Sequence, residues 1–246
     1  MIFTTPPNKD YHKDIEILKE EIESQRNFSF SKFCDGEWAV MSNQQINNKE
    51  FWFEPKNPTD QKLREALIDS FQFTNPSYYV GIACPTVFGV DLHRVMKRVS
   101  RQSQDHLTWA DIWVNSNYKY FCEKIVPLFS EREVVLFCQE SGNVDNLPFK
   151  PTQVYRVGNN AWKTNYSQIQ EAKVFIDSNG IRDHIFLFCC GPFGNILCHQ
   201  LTEHNKDNTY LDIGSTLNPW LKSAGFERDY YMGDNTFSRL KGVWDQ

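Results

Sequence analysis

An acidic pair follows an apolar segment near the start of the chain. Residues 28–38 read Phe-Ser-Phe-Ser-Lys-Phe-Cys-Asp-Gly-Glu-Trp, so Gly36 separates Asp35 from Glu37, and Lys32 precedes both. The segment predicts a short strand that stops at an acidic turn, where glycine permits a sharp change of direction. Two carboxylates in this pattern can face one hard cation such as Mg²⁺ or Mn²⁺, which binds oxygen and keeps positions open for substrate phosphates. Lys32 is placed to meet such a phosphate.

The pattern is very short, and an isolated Asp-X-Glu is more often a solvated turn than a metal site. Its position favours the functional interpretation, because open α/β sheets bind ligands at the carboxyl ends of their strands. Whether this turn is a metal site therefore depends on the strands and helices around it.

Further apolar runs predict the strands of one sheet. They cover residues 78–84, 134–139, 153–157, 185–190 and 210–213. Segments with helical periodicity lie between them, at residues 10–26, from about 60 to 73, at about 166–178 and up to about 204. Uninterrupted apolar strands that alternate with helices predict an α/β, Rossmann-like fold, with a mostly parallel sheet and helices on both faces. We expect a single domain over residues 1–246, with a mainly helical segment at about 87–130, and a loop at 43–59.

Small or polar residues follow several of these strands. The segments are Asp-Gly-Glu at 35–37, Glu-Ser-Gly at 140–142, Gly-Asn-Asn at 158–160, Gly-Pro-Phe-Gly at 191–194 and Asp-Ile-Gly-Ser at 212–215. In a parallel sheet these ends meet along one rim, where helix N-termini offer N–H groups to phosphate. The chain contains neither a Gly-X-Gly-X-X-Gly nor a Gly-Lys-Ser/Thr phosphate loop. It also lacks Gly-X-Ser-X-Gly, which disfavours an α/β-hydrolase.

Composition narrows the class of protein. The formal net charge of -5 argues against a general nucleic-acid binder. Seven cysteines, several of them in apolar runs and none in a Cys-X-X-Cys pair, predict reduced thiols in a reducing compartment, so we expect a cytoplasmic protein. The N-terminus does not resemble a signal peptide, and no stretch approaches 18 uninterrupted apolar residues, so no transmembrane segment is expected.

Residues 32–37, Lys-Phe-Cys-Asp-Gly-Glu, resemble the Arg-Phe-Gly-Asp-Gly-Glu signature of the GT-D-fold glycosyltransferases. This family was once a domain of unknown function, and its characterised members glucosylate bacterial serine-rich adhesins. The resemblance continues in order over about residues 28–221. Residues 134–143 look like its strand and Glu-containing loop, Asn-Ala-Trp at 160–162 is similar to its Asn-Ala-Phe turn, residues 187–201 look like its Gly-Pro-Thr-Ala segment, and residues 211–215 resemble its Asp-Ile-Gly-His segment.

The resemblance implies a metal-dependent glycosyltransferase that moves a sugar from a nucleoside-diphosphate sugar, by default UDP-glucose, to a glycan or glycoprotein acceptor. It implies that Asp35 and Glu37 are the catalytic pair and bind a divalent metal, Mn²⁺ or Mg²⁺, which would neutralise the diphosphate. The implied substrate-binding residues are Lys32, Gly36, Glu140, Asn160, Ala161, Gly191, Pro192, Phe193, Asp212, Gly214 and Ser215.

Several positions depart from the family pattern. Lys32 stands for Arg, Cys34 for Gly, Phe193 for Thr and Ser215 for His. Lysine keeps the charge of arginine but loses its fork geometry. A changed donor, a changed acceptor or a lost activity would each fit these departures.

Two other functions remain open. Leu-Asp-Ile-Gly-Ser at 211–215 suggests an S-adenosylmethionine-dependent methyltransferase, although such a loop normally opens its fold and here lies near the end. A non-catalytic carbohydrate-binding protein that kept the fold is the other alternative, because a fold does not settle a function.

Overall fold

A computed structural model describes residues 1–48, 50–222, 227–231 and 244 of the chain. The strands in these ranges are β1 (Ser29–Lys32), β2 (Ile46–Asn47), β3 (Trp52–Phe53), β4 (Tyr78–Ile82), β5 (Leu107–Trp109), β6 (Val134–Gln139), β7 (Gln153–Val157), β8 (Ile185–Cys189) and β9 (Thr209–Asp212). The helices are α1 (Tyr11–Glu23), α2 (Asp35–Met41), α3 (Pro58–Gln72), α4 (Pro85–Phe88), α5 (Val90–Val99), α6 (Tyr118–Tyr120), α7 (Ala161–Thr164), α8 (Gln168–Asn179), α9 (Pro192–His204) and α10 (Asn218–Leu221). Short 3₁₀ or π turns cover Gln104–His106, Asn115–Asn117, Phe121–Ile125, Val126–Ser130, Val144–Asn146 and Asp229–Tyr231.

Seven strands form one sheet in the order β5-β4-β1-β9-β8-β6-β7. Every neighbouring pair in it is parallel, which confirms the predicted α/β, Rossmann-like architecture. From β1 the chain moves outward to β4 and β5, crosses to β6, and returns through β8 to β9, which pairs with β1. The strands β2 and β3 form a separate antiparallel hairpin.

Strand β1 shows how both faces of the sheet are covered. Its serines point towards α9, where Ser29 Oγ lies 2.5 Å from Thr202 Oγ1 and Ser31 Oγ accepts from Asn195 Nδ2 at 3.0 Å. Phe30 points the other way, into an edge-to-face contact with Trp113 at 5.4 Å between ring centroids. The strand therefore tolerates serine in the core because each hydroxyl finds a polar partner there.

The predicted loop and helical segment contain more strand than the sequence indicates. The hairpin β2–β3 lies within residues 43–59, and β5 lies within the segment at 87–130 that we predicted to be mainly helical. Both elements are only two or three residues long, which is too short for a periodic hydrophobic signal.

Two helix starts also differ from the sequence prediction. Helix α3 begins at Pro58, before the predicted start at about residue 60, and Asn57 caps it, because its Oδ1 accepts from Thr59 N at 2.9 Å and from Asp60 N at 3.3 Å. The acidic triplet is the first turn of α2 rather than a turn before it. Acidic residues are favourable there because a helix N-terminus carries partial positive charge.

All seven cysteines are free in the structure. None of the helices in the described ranges combines the length and the apolar character needed to cross a bilayer.

Candidate active site

A cavity of about 460 Å³ opens at the carboxyl ends of the parallel strands. It spans the junction of β1 and β9 near the middle of the sheet, and open α/β sheets bind ligands outside the carboxyl ends of their strands. The cavity wall includes nine of the residues predicted from the sequence to form the site: Lys32, Asp35, Gly36, Glu37, Ala161, Gly191, Pro192, Gly214 and Ser215.

The other four predicted residues lie on the same rim of the sheet but not on the cavity wall. Glu140 is exposed beyond β6, and its backbone N donates to Val157 O at 2.9 Å. Phe193 is wholly buried in the first turn of α9, with its ring centroid 6.4 Å from that of Tyr166. Neither side chain is placed to meet a ligand in the cavity.

Asn160 and Asp212 are buried and serve to position other groups. Asn160 Oδ1 accepts from Trp52 N at 3.3 Å and from Trp162 Nε1, so it ties the β2–β3 hairpin to α7. Asp212 lies beneath the cavity, where its carboxylate accepts from Gly214 N at 3.1 Å and from Asn195 Nδ2 at 3.3 Å.

Lys32 lies on the cavity wall and reaches from β1 over the end of β9. A Cβ added to Gly214 would meet the flexible end of the Lys32 side chain, and Gly214 has a φ of +56°, so any other residue here would be strained and would displace that side chain. Within the described ranges, no carboxylate comes within 4.0 Å of Lys32 Nζ to form an ion pair. Burial opposes the charged form, but the neighbouring carboxylates of Asp212 and Glu37 outweigh it and raise the pKa of Lys32. The ammonium group is therefore charged at neutral pH.

The two acidic residues have different roles: Glu37 stabilises the start of α2, whereas Asp35 faces the cavity. Glu37 is buried, and its Oε2 accepts from Cys34 N at 3.0 Å, as the third helical residue does in a capping box. Asp35 is exposed on the cavity wall and accepts no hydrogen bond from the described residues. One carboxylate and part of a second are thus available to a ligand.

Asp111 is a site residue that the sequence analysis missed. It follows β5 and lies on the cavity wall, and Cys34 Sγ lies 3.9 Å from its Oδ1. Burial raises the pKa of Asp111 to about 6, Lys32 opposes this shift, and the charges of Asp35 and Glu37 add to it. Its signal in the sequence, an Asp after a strand end, was hidden because β5 is too short to recognise.

The wall of the cavity carries more negative than positive charge. Its described residues include two cationic side chains, Lys32 and Arg228, and four carboxylates, Asp35, Glu37, Glu50 and Asp111. No three His, Cys, Asp or Glu side chains in the described ranges converge as a preformed metal cage. The donor set still fits Mg²⁺ or Mn²⁺, because such ions are held by one or two carboxylates with substrate phosphates completing the shell.

Aromatic side chains form the outer part of the wall. A Cβ on Gly36 would lie 3.0 Å from Phe51 Cζ, so glycine at this position lets the Phe51 ring cover the start of α2. On the opposite side, Ser215 Oγ bonds Tyr230 Oη, and Tyr231 Oη donates to Ser215 O at 2.6 Å. Ser215, which replaces the histidine of the resembling family, thus anchors residues 227–231 to the end of β9.

Neither a protein-family model nor a curated protein sequence matches the chain. Two solved structures are similar to it. A selenomethionine-substituted structure of domain of unknown function 1792 is 14% identical with a TM-score of 0.54, and covers 80% of this chain and 76% of its own. A structure described as that domain with a distinct glycosyltransferase fold is 15% identical with a TM-score of 0.55 and the same coverage. The likeness confirms the fold expected from the sequence resemblance: the chain has a GT-D-like glycosyltransferase fold.

Proposed function

We propose that this chain is a glycosyltransferase that takes a sugar from a nucleoside-diphosphate sugar and passes it to a glycan or glycoprotein acceptor. UDP-glucose is the donor carried over from the sequence resemblance. The glycosyltransferase fold of the similar structures and the chemistry of the cavity at the β1–β9 junction support this proposal.

The observation that carries the proposal is the ammonium group of Lys32. It lies on the cavity floor, stays charged because Asp212 and Glu37 surround it, and forms no ion pair within 4.0 Å among the described residues. A half-buried cation without a contacting counter-ion is a binding group for an anion, and the diphosphate of a nucleotide sugar is such an anion. The developing negative charge on the departing nucleoside diphosphate would be stabilised there.

A divalent cation completes the proposal. The cavity wall has a formal charge of -2 over its described residues, which would repel a diphosphate. Asp35 and Glu37 would hold Mn²⁺ or Mg²⁺, which would supply charge neutralisation to the leaving diphosphate. The position of the metal ion would be determined by two carboxylates, that of Asp35 on the cavity wall and that of Glu37 in the first turn of α2.

The geometry offers less support for a methyltransferase. The loop that suggested it, at residues 211–215, has its glycine covered by the Lys32 side chain. Asp212, the acidic residue of that loop, is 2% exposed and already accepts from Gly214 N at 3.1 Å.

Calorimetric titration of UDP tests the proposal, using wild type, Asp35→Asn and Glu37→Gln, each with Mn²⁺ and with a chelator. We expect wild type to bind UDP more tightly with Mn²⁺. Asp35→Asn is nearly isosteric but removes the charge that a hard cation needs, so it should lose the Mn²⁺ enhancement without loss of folding. Glu37→Gln should weaken the enhancement but change stability by less than about 1 kcal/mol, because the glutamine oxygen can still accept from Cys34 N at the start of α2.

Equal binding of UDP to all three proteins, unaffected by chelator, would contradict the metal site. A wild-type protein that binds no nucleoside diphosphate in either condition, while remaining folded, would contradict the transferase proposal and favour a non-catalytic protein.

A further inference from the structure

The second cation of the cavity, Arg228, approaches from the outer wall. Arg228 belongs to residues 227–231 and faces the hairpin side of the cavity, where its Nη2 pairs with Glu50 Oε1. Both residues line the cavity, although they are 178 positions apart in the chain. We infer that Arg228 is a second binding group for the donor diphosphate and that Glu50 holds its place until the donor arrives. The inference rests on the proposed function.

The anchoring of residues 227–231 supports this assignment. Tyr231 packs on Tyr118 with ring centroids 4.9 Å apart, and both Tyr230 and Tyr231 bond Ser215. The Arg228 guanidinium carbon lies 5.8 Å from the centre of the Tyr230 ring. The tyrosines therefore fix the backbone next to Gly214 and Ser215, beside the Lys32 side chain, and leave the long arginine side chain to reach across the cavity.

The chemistry of the Arg228–Glu50 pair favours exchange of the carboxylate for a phosphate. The Glu50 side chain is half exposed, so its pairing with Arg228 contributes little stability and is easily broken. The planar guanidinium donates two parallel hydrogen bonds to phosphate as it does to carboxylate, and phosphate carries more charge. A diphosphate held between Lys32 and Arg228 would meet a cation on each side.

Arg228 also compensates for the presence of lysine at position 32. In the resembling family an arginine stands at this position, and lysine loses the fork. Arg228, which belongs to residues 227–231 and not to β1, supplies a guanidinium group to the cavity. The chain thus keeps bidentate recognition of phosphate although its signature residue is a lysine.

The test is calorimetric titration of UDP, with Mn²⁺ present, into wild type, Arg228→Gln, Arg228→Lys and Glu50→Gln. Arg228→Gln should weaken UDP binding at least about tenfold, which corresponds to one lost charge-assisted contact. Arg228→Lys should recover only part of this loss, because it restores charge without the fork. Glu50→Gln should bind UDP at least as tightly as wild type, since the Arg228–Glu50 ion pair then no longer has to be broken.

Two variants control for long-range charge. Glu54→Gln lies on the same hairpin segment and Lys222→Gln lies just beyond α10, both exposed and both away from the cavity wall. They should leave UDP affinity within about twofold of wild type, as screened surface charges do. Titration of uridine, which has no phosphate, should not distinguish Arg228→Gln from wild type.

Arg228→Gln that binds UDP as tightly as wild type overturns the inference but leaves the proposed function standing. A loss of UDP affinity in Glu50→Gln as large as that in Arg228→Gln also overturns it, because the pair would then be a structural clasp. If wild type itself binds no nucleoside diphosphate, the proposed function fails first.

Discussion

At the scale of single residues, the site depends on a lysine and a glycine from neighbouring strands. Lys32 lies over Gly214, which has no side chain and takes a φ of +56°. Both residues were predicted from the sequence to bind substrate, but from separate motifs. Their contact could not be predicted, because β1 and β9 are about 180 residues apart in the chain and only the sheet order brings them together.

Gly214→Ala should therefore destabilise the fold and disturb Lys32. Gly180→Ala is its matched control, because Gly180 has a φ of +59° and nothing within 4 Å of an added Cβ. The control should lose about 1 kcal/mol in the free energy of unfolding from backbone strain alone. Gly214→Ala should lose about 1 kcal/mol more than the control, because the end of the Lys32 side chain must also move away from the added methyl group. Urea denaturation measures both values, and equal losses would show that the Lys32 contact has no energetic weight.

At the scale of elements, the long apolar strands were predictable and the short elements were not. Strands such as β6 and β8 are buried over four or five successive residues and form continuous apolar runs in the sequence. The two-residue strands of the β2–β3 hairpin and the three-residue β5 carry no periodic pattern. Asp111 was missed for this reason, and Asn160 was assigned to ligand binding although the structure shows it holding the hairpin.

Asn160→Gly tests that positioning role. Asn160 has a left-handed backbone with a φ of +56°, so glycine removes its hydrogen bonds to Trp52 N and Trp162 Nε1 without adding backbone strain. We expect a loss of about 1–3 kcal/mol in the free energy of unfolding, because the buried Trp162 Nε1 and the partly buried Trp52 N both lose their acceptor. Amide hydrogen exchange in residues 50–53 should also speed up.

Asn43→Gly is the matched control, since Asn43 has a φ of +60° and is exposed. It should change stability by less than about 1 kcal/mol and leave exchange in residues 50–53 unaltered. If the two variants behave alike, Asn160 does not secure the hairpin.

At the scale of the whole molecule, the cavity concentrates negative charge that folding must bury. Burial raises the pKa of Asp111 to about 6 and the pKa of Asp212 to about 7, and Lys32 opposes both shifts. The folded protein therefore holds protons that the unfolded chain has already released above about pH 4. Each carboxyl contributes most to stability in acid, and this contribution is lost as the pH rises through the folded pKa.

Asp111→Asn should remove the part of this pH dependence that comes from Asp111, because asparagine does not titrate. With chelator present, the free energy of unfolding of the variant relative to wild type should rise by on the order of 2 kcal/mol between pH 4 and pH 8. Urea denaturation of both proteins at the two pH values provides the measurement. A difference that is the same at both pH values would contradict the raised pKa of Asp111.

We propose that the cavity at the β1–β9 junction holds a nucleoside diphosphate between Lys32 and a metal on Asp35. The most direct test is an anomalous difference map from crystals soaked with UDP and Mn²⁺. We expect a manganese peak beside the Asp35 carboxylate. The diphosphate should contact this manganese, and one of its oxygens should lie about 2.7–3.2 Å from Lys32 Nζ. UDP bound outside this cavity, or a diphosphate in it that contacts neither Lys32 nor manganese, would contradict the account.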